Sequence, residues 1–517
     1  MEGIPVSSRS SNWVAVYLPV LALLLFSRYA AAPVTDLLGD DWPILNRARA
    51  YESYPAAAAT ALHEPDRPLG ALLLGVVFRA IDDRPALFTV HNILLHAGIL
   101  ALFLFCIDRL SGRRNATLIA GILFALLPHP SDLYNWATVA VYLPAFLGYL
   151  GAAACWIQYA RGGVFAWAPL SGLLMFLGAA TFESGFALPL AFLALVSRDR
   201  LRRDLVALAF PAAGSVLYLL WRFTRGFGLA QGILFAPRQP AADPFYLAWN
   251  AKEFVSSWAG ENLLTTLAQG FTSFSTLPKW EWRGLFAATI LVTLLLARAL
   301  RQCPVTEPMP ANVQRRAVGF AALWFIAAAL PCVVSWQAGR LHFLPGIAFA
   351  WLLAIVLSNR LGRTWIPVFS LAAAMLLVSN LGSAQRWQDS GRFHRRLYQH
   401  IQRTSSEWQS AELVLFSTDS LRERLTPGLV TARSLAPTTW AKYGSADLLR
   451  GFAPAAMLRM ARPGETPPIS VLDVEHGARW DGDQLLWHGR WNPELTHQTA
   501  RDNVHEIDVL RAATTAP

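Results

Sequence analysis

Apolar runs close to twenty residues long recur through the first three-quarters of this chain, and they constrain its fold more than any other feature. A helix needs about 20 apolar residues to cross a hydrocarbon core of roughly 30 Å. About eleven segments approach that length: residues 13–32, 88–107, 115–130, 136–157, 165–182, 184–197, 205–222, 284–300, 317–337, 341–357 and 364–382. Charged residues make up 15% of the 517 and hydrophobic residues 54%, whereas soluble domains carry about 25% charged residues. So few charges cannot cover the surface of a soluble fold. The sequence therefore predicts an all-α polytopic membrane protein.

The net charge of +10, from 44 Lys and Arg against 34 Asp and Glu, belongs to topology rather than to nucleic acid. Arginines concentrate around 109–114, 198–203 and 298–316 and at Arg360 and Arg363. With the spans above, these connections share one side, which the positive-inside rule makes cytoplasmic. The opposite side receives a first outer loop at 33–87, a second at 223–283, and everything after about Gly382. The N-terminus is then cytoplasmic, and residues 13–32 read as the first anchor rather than a cleavable signal. Prolines 128, 144, 189, 331 and 345 interrupt or flank spans. Broken helices survive at membrane depth only beside protein or a water-filled cavity, so a cavity is expected. Pro68–Ile81 is too short to span and reads as a helix in the outer interface, as does the stretch 250–274. Cys106, Cys155, Cys303 and Cys332 lie in or beside apolar segments with no metal-type spacing.

Charges return beyond Ser383, where residues 383–517 predict a small extracytoplasmic α+β domain of about 130 residues. Strand-like runs stand at Glu412–Ser417, Pro468–Val474 and Glu506–Leu510, with a hairpin over Arg479–Trp491 around Asp481-Gly482. Trp440, Trp480, Trp487 and Trp491 are able to stack on sugar rings, although burial is the commoner fate of tryptophan in so small a domain.

Ionisable groups at bilayer depth are costly, which makes each one a functional candidate. Asp40 and Asp41 follow the first span in Leu-Leu-Gly-Asp-Asp-Trp. Adjacent carboxylates raise one another's proton affinity, which suits a general base or a cation ligand; the alternative is a hydrated loop end. Glu183 stands between two apolar runs, either as a functional acid or as a buried ion-pair partner. Asp132 follows Pro128-His129-Pro130 and fits helix capping as well as chemistry. His129 has no His or Cys partner at ligand spacing. Arg67, Arg222 and Arg340 fall on the outer side, against the positive-inside bias. A guanidinium there matches a phosphate, and equally an acidic neighbour such as Asp66 or a lipid headgroup.

The order of these landmarks resembles that of the transmembrane O-mannosyltransferases that carry TPR repeats, and their bacterial relatives. The matching stretches are His63–Leu69 with Phe88–His96, Leu123–Pro128 with Asp132 and Trp136, and Thr181–Glu183 with Leu188-Pro189. They continue with Leu217–Arg222, Gly339–Pro345 and Gln385–Gln388, so the likeness covers about residues 30–390. Phe182 stands where that family has Lys, Thr138–Tyr142 replaces a Gly-Arg pair, Pro130 replaces a His, and no TPR array follows. The resemblance implies a GT-C glycosyltransferase fold taking a sugar from a polyprenyl-phosphate donor on the outer leaflet. It implies that Asp40 and Asp41 act as base or acceptor-positioning acids, and that Arg222 and Arg340 face the donor phosphate.

The expected reaction is a single displacement at the anomeric carbon, onto a glycan, lipid or protein hydroxyl. No cofactor is required, although a divalent cation between the acidic pair and the phosphate is compatible with oxygen ligands. Two readings compete: a transporter or flippase of lipid-linked sugars, and a non-catalytic partner in envelope assembly. Inverted repeats, which transporters often show, are not apparent, and the polar candidates lie toward one face.

Overall fold

The structure is a computed structural model that describes residues 12–34, 36–37, 41–62, 67–127, 131–139, 142–225, 244–256, 264, 266–275, 279–302, 309–334, 342–360, 365–417, 454–472, 478–489, 492–509 and 511–512. The helices in chain order are α1 (Asn12–Tyr29), α2 (Asp41–Ala50), α3 (Tyr54–Leu62), α4 (Pro68–Ile81), α5 (Pro85–Ser111), α6 (Arg114–Leu126), α7 (Ser131–Asn135), α8 (Tyr142–Gly162), α9 (Trp167–Thr181) and α10 (Pro189–Phe192). They continue with α11 (Leu201–Thr224), α12 (Pro244–Ser256), α13 (Thr266–Ser275), α14 (Lys279–Gln302), α15 (Ala311–Val334), α16 (Phe343–Arg360), α17 (Ile366–Arg403), α18 (Ser405–Trp408) and α19 (Pro454–Ala461).

Among the described residues five helices are long and apolar enough to cross a membrane: α5, α11, α14, α15 and α17. Shorter apolar helices, among them α1, α6, α9 and α16, pack between them. Large apolar side chains face outward on several of these helices, including Leu94, Leu173, Leu291, Leu294 and Leu371. A helical body with so much outward apolar surface is that of a membrane protein. Close approach rests on small residues, as in membrane bundles generally. A Cβ on Gly214 of α11 would come within 2.2 Å of the Gly172 carbonyl oxygen of α9.

The segment expected as a span at 184–197 is not one regular helix. Phe182 is extended and ends α9, Glu183–Gly185 form a 3-10 turn, and α10 and a second 3-10 turn, Leu193–Leu195, follow. Its backbone amides bond three residues back, as in Phe186 to Glu183, Leu188 to Gly185 and Val196 to Leu193. A 3-10 path rises about 2.0 Å per residue, so residues 183–195, with four of them in α10, reach about 24 Å, against about 20 Å as α-helix throughout. The short apolar segment gains its reach by tightening. Elsewhere a buried helix end is closed by side chains. Ser27 donates to the Ala125 carbonyl at 3.0 Å, Asn380 to Leu126 at 2.9 Å, and Arg28 to Leu127, so three carbonyls at the end of α6 are satisfied.

The compositional change at 383 falls inside α17, which continues unbroken to Arg403. Its 38 residues span about 57 Å, well beyond a hydrocarbon core. Beyond it, β1 (Leu413–Ser417) pairs in parallel with β2 (Ile469–Leu472) and β6 (Val504–Asp508). All five residues of β1 are buried, as a parallel strand covered on both faces requires. A second, antiparallel sheet joins β3 (Arg479–Asp481), β4 (Gln484–Gly489) and β5 (Asn492–Ala500). The expected hairpin is there, turning at Gly482, whose φ is +59°; β5 had no counterpart among the expected strands. Trp480 and Trp487 pack against the apolar cluster between the sheets, while Trp440 and Trp491 lie outside the described residues.

One apolar core ties this C-terminal part to the first outer loop. Trp42, Leu45 and Ala48 of α2 and Phe78 of α4 pack with Leu397 and Ile401 of α17, Phe416 of β1 and Met457 of α19. Arg395 bolts the same junction. Its Nε donates to Asp36 at 3.0 Å, its Nη1 to Asp83 at 2.6 Å, and the guanidinium lies over the Trp42 ring. Charge-assisted hydrogen bonds contribute about 1.5–3 kcal/mol each at most, less where half-exposed. We therefore expect Arg395→Gln to lower stability by about 2 kcal/mol and to open the junction. The check is earlier proteolytic release of the segment after Arg403 in detergent; an unchanged cleavage rate would count against this role.

Candidate functional site

Glu183 is the centre of the polar chemistry in the helical body. It follows the extended Phe182, where α9 gives way to the 3-10 segment, and its side chain is 2% exposed. Arg67, immediately before α4, holds it with two bonds: Nε to Oε2 at 2.8 Å and Nη2 to Oε1 at 2.7 Å. Arg222 of α11, also buried, approaches Oε1 at 3.6 Å and donates to the Tyr218 hydroxyl at 3.2 Å. The Arg67 guanidinium lies 4.9 Å from the centre of the Phe182 ring, and the Phe182 carbonyl accepts from Tyr149 at 2.6 Å. Gly70 makes the contact feasible. A Cβ there would stand 2.6 Å from the Thr181 carbonyl oxygen and push α4, with Arg67, away from α9.

Sequence analysis set Glu183 apart as an acid and Arg67 and Arg222 as cations for a phosphate; the fold brings all three into one cluster. Arg67 lines a cavity whose wall includes neither Glu183 nor Arg222. This hollow of about 200 Å³ lies between α2, α3, α4 and the ends of α8 and α9, and its wall includes Arg47, Tyr51, Arg67, Tyr142 and Thr181. A bidentate carboxylate behind Arg67 fixes one edge of its fork and leaves the orientation of the rest defined. Arg47, which sequence reasoning did not single out, faces the same hollow. The outer-side arginine logic applied to Arg67 extends to it, because it stands in the same loop.

Asp41 does not line the hollow. It is buried in the first turn of α2, where Oδ1 accepts from the Thr138 amide at 2.6 Å and from the Thr138 hydroxyl. It thereby pins α2 to the turn after α7. Asp132 stands on α7; its side chain, and all of Asp40, His129, Asp66 and Arg340, lie outside the described residues. Among the described residues no three His, Cys, Asp or Glu side chains gather closely enough to hold a metal ion.

No family model matches the chain, and no curated protein matches it.

Loss of one member of a buried ion cluster strands the others, at about 3–5 kcal/mol. Glu183→Gln is expected to lower stability by about 3 kcal/mol, and Arg67→Lys by less, because a lysine keeps the charge without the fork. Unfolding midpoints in detergent measure both; equal midpoints for wild type and Glu183→Gln would show that the cluster carries no such weight.

Proposed function

We propose that the chain is a membrane glycosyltransferase of the GT-C type, moving a sugar from a polyprenyl-phosphate donor to a hydroxyl of an extracytoplasmic glycan, lipid or protein. The observation that carries this reading is the cavity beside α2 and α4, with two guanidinium groups on its wall and Glu183 fixing one of them. It adds to the order of motifs that resembles the O-mannosyltransferases. In this reading the protein is a multi-pass protein of the cell membrane. Its N-terminus is cytoplasmic, while the cavity and the residues after Arg403 are extracytoplasmic. The shared core of the first loop and the C-terminal sheets supports placing those two on one side.

The acceptor oxygen attacks the anomeric carbon as the bond from that carbon to the phosphate oxygen breaks. The electron pair leaves with the polyprenyl phosphate, whose developing charge is met by Arg67 and Arg47. A carboxylate takes the acceptor proton. Asp40 is the candidate base by the resemblance, because Asp41 is already engaged by Thr138. Arg222 acts behind Arg67, through Glu183.

The test uses full-length protein with a radiolabelled polyprenyl-phosphate sugar and cell-envelope fractions. Transfer of label by wild type, reduced about 10²-fold or more in Asp40→Asn and in Arg47→Gln, is expected from the usual weight of a general base or a charge-stabilising donor. Transfer undiminished in both variants would remove this assignment, and lipid flipping without transfer would replace it with transport.

A further inference from the structure

A second polar locus lies at the other end of the body and has no part in the proposed transfer. Arg109 of α5, Arg161 of α8 and Arg316 of α15 line a narrow notch together with Leu110, Ile157 and Val313. Arg161 donates to the Arg109 backbone carbonyl at 2.8 Å, and Arg109 lies over the Phe105 ring. The Arg109 Nε is buried without a hydrogen-bond partner. Among the described residues none of the three forms an ion pair with a carboxylate. Asp108, buried one residue before Arg109, offsets part of the charge on Arg161. Three cations against one acid leave an excess of positive charge on a partly desolvated surface.

The notch stands at headgroup depth. Helix α8 runs from Tyr142, on the wall of the large cavity, to Arg161 in the notch. At 1.5 Å per residue those two levels are about 28 Å apart, close to the thickness of a hydrocarbon core. The segment from Glu183, which holds Arg67 of the cavity wall, to Leu195 on the notch wall connects the same two levels. A ligand here therefore meets the arginines from the membrane surface opposite the cavity. The notch holds only about 20 Å³, which is room for about one water-sized group and excludes a sugar or a nucleotide. One phosphate oxygen entering between the guanidinium groups fits that space, with the rest of its headgroup outside.

The geometry points to a site for the phosphate headgroup of an anionic phospholipid, held among Arg109, Arg161 and Arg316 between α5, α8 and α15. Basic pockets between membrane helices take such headgroups because the lipid's own apolar chains hold the phosphate at the level of the arginines. Guanidinium forks and phosphate oxygens also match in geometry.

The test titrates phosphatidylglycerol into full-length protein in detergent and follows the rise in unfolding temperature. Phosphatidylcholine and inorganic phosphate serve as separate arms. Phosphatidylglycerol is expected to stabilise wild type, and each of Arg109→Gln and Arg316→Gln to raise the concentration for half-effect about fivefold, the weight of one arginine at a membrane surface. Arg161 is left intact because it holds the Arg109 backbone. Arg301→Gln, an exposed arginine at the end of α14, should titrate as wild type. The lipid-free unfolding temperature of each variant separates misfolding from lost binding. An unchanged titration in both notch variants overturns the site. Equal stabilisation by phosphatidylcholine overturns the charge requirement, and saturation by millimolar inorganic phosphate overturns a lipid as the ligand.

Discussion

The contact on which the site depends is the fork between Arg67 and Glu183. Arg67 comes from the loop before α4, Glu183 from the break after α9, and Arg222 joins from the last turn of α11. The long α5 to α9 stretch separates the first two in sequence, and no local preference would align them. The alignment is needed because the body is mostly apolar. A carboxylate left alone there would be prohibitively costly, so the chain must deliver a cation to it. Delivery has its own requirement, the near-contact of α4 and α9 that Gly70 permits. Once that contact is made, α2 and α3 lie against α4 and complete the walls of the cavity.

Much of this was legible in the sequence, because membrane helices announce themselves by length and polarity. Ten of the expected apolar spans fall on helices, with ends displaced by up to about six residues except for the last, whose helix α17 runs on to Arg403. The irregular path of the segment at 184–197 was not legible, because hydropathy measures how much apolar chain there is and not how steeply it rises. Glu183, Arg67 and Arg222 were identifiable because charge in an apolar setting always needs explanation. Their mutual pairing was not identifiable, since it depends on helix–helix distances that single residues do not encode. Arg47 escaped notice for a simpler reason: it stands beside Arg49 in a polar loop, where arginine is unremarkable until a hollow appears next to it. The boundary at 383 marks where the exposed side chains of α17 change from apolar, as at Leu371 and Met375, to charged, as at Asp389 and Arg392, and the helix itself carries on.

That continuity gives the C-terminal part its bearing on the cavity. α17 carries Arg395 and Tyr398 to the level of α2, where Trp42 packs against Tyr398 with ring centres 4.6 Å apart. The wall of the cavity formed by α2 is therefore held from two directions: by Asp41 on Thr138 from the helical body, and by Tyr398 and Arg395 of the C-terminal half of α17 on Trp42. A short helix such as α2 would be marginal alone, since isolated helices below about 12–15 residues rarely persist in water. Its placement is set by these tertiary contacts, and anything that shifts the C-terminal sheets is transmitted to the cavity wall through the same few side chains.

The buried ion cluster raises a question of purpose that stability does not answer. Replacing a buried ion pair by well-packed apolar residues is often neutral or stabilising, and the crossings of α4 on α9 and of α9 on α11 are already supplied with small residues for close packing. Adhesion between these helices does not need Glu183. What the carboxylate adds is direction. It occupies Nε and Nη2 of Arg67, lays the guanidinium plane along the Phe182 ring, and so presents Arg67 to the cavity in one attitude instead of many. An arginine free to rotate would lose much of its side-chain entropy on meeting an anion. In Arg67 that loss is incurred during folding, and a phosphate arriving in the cavity meets a donor already set in place.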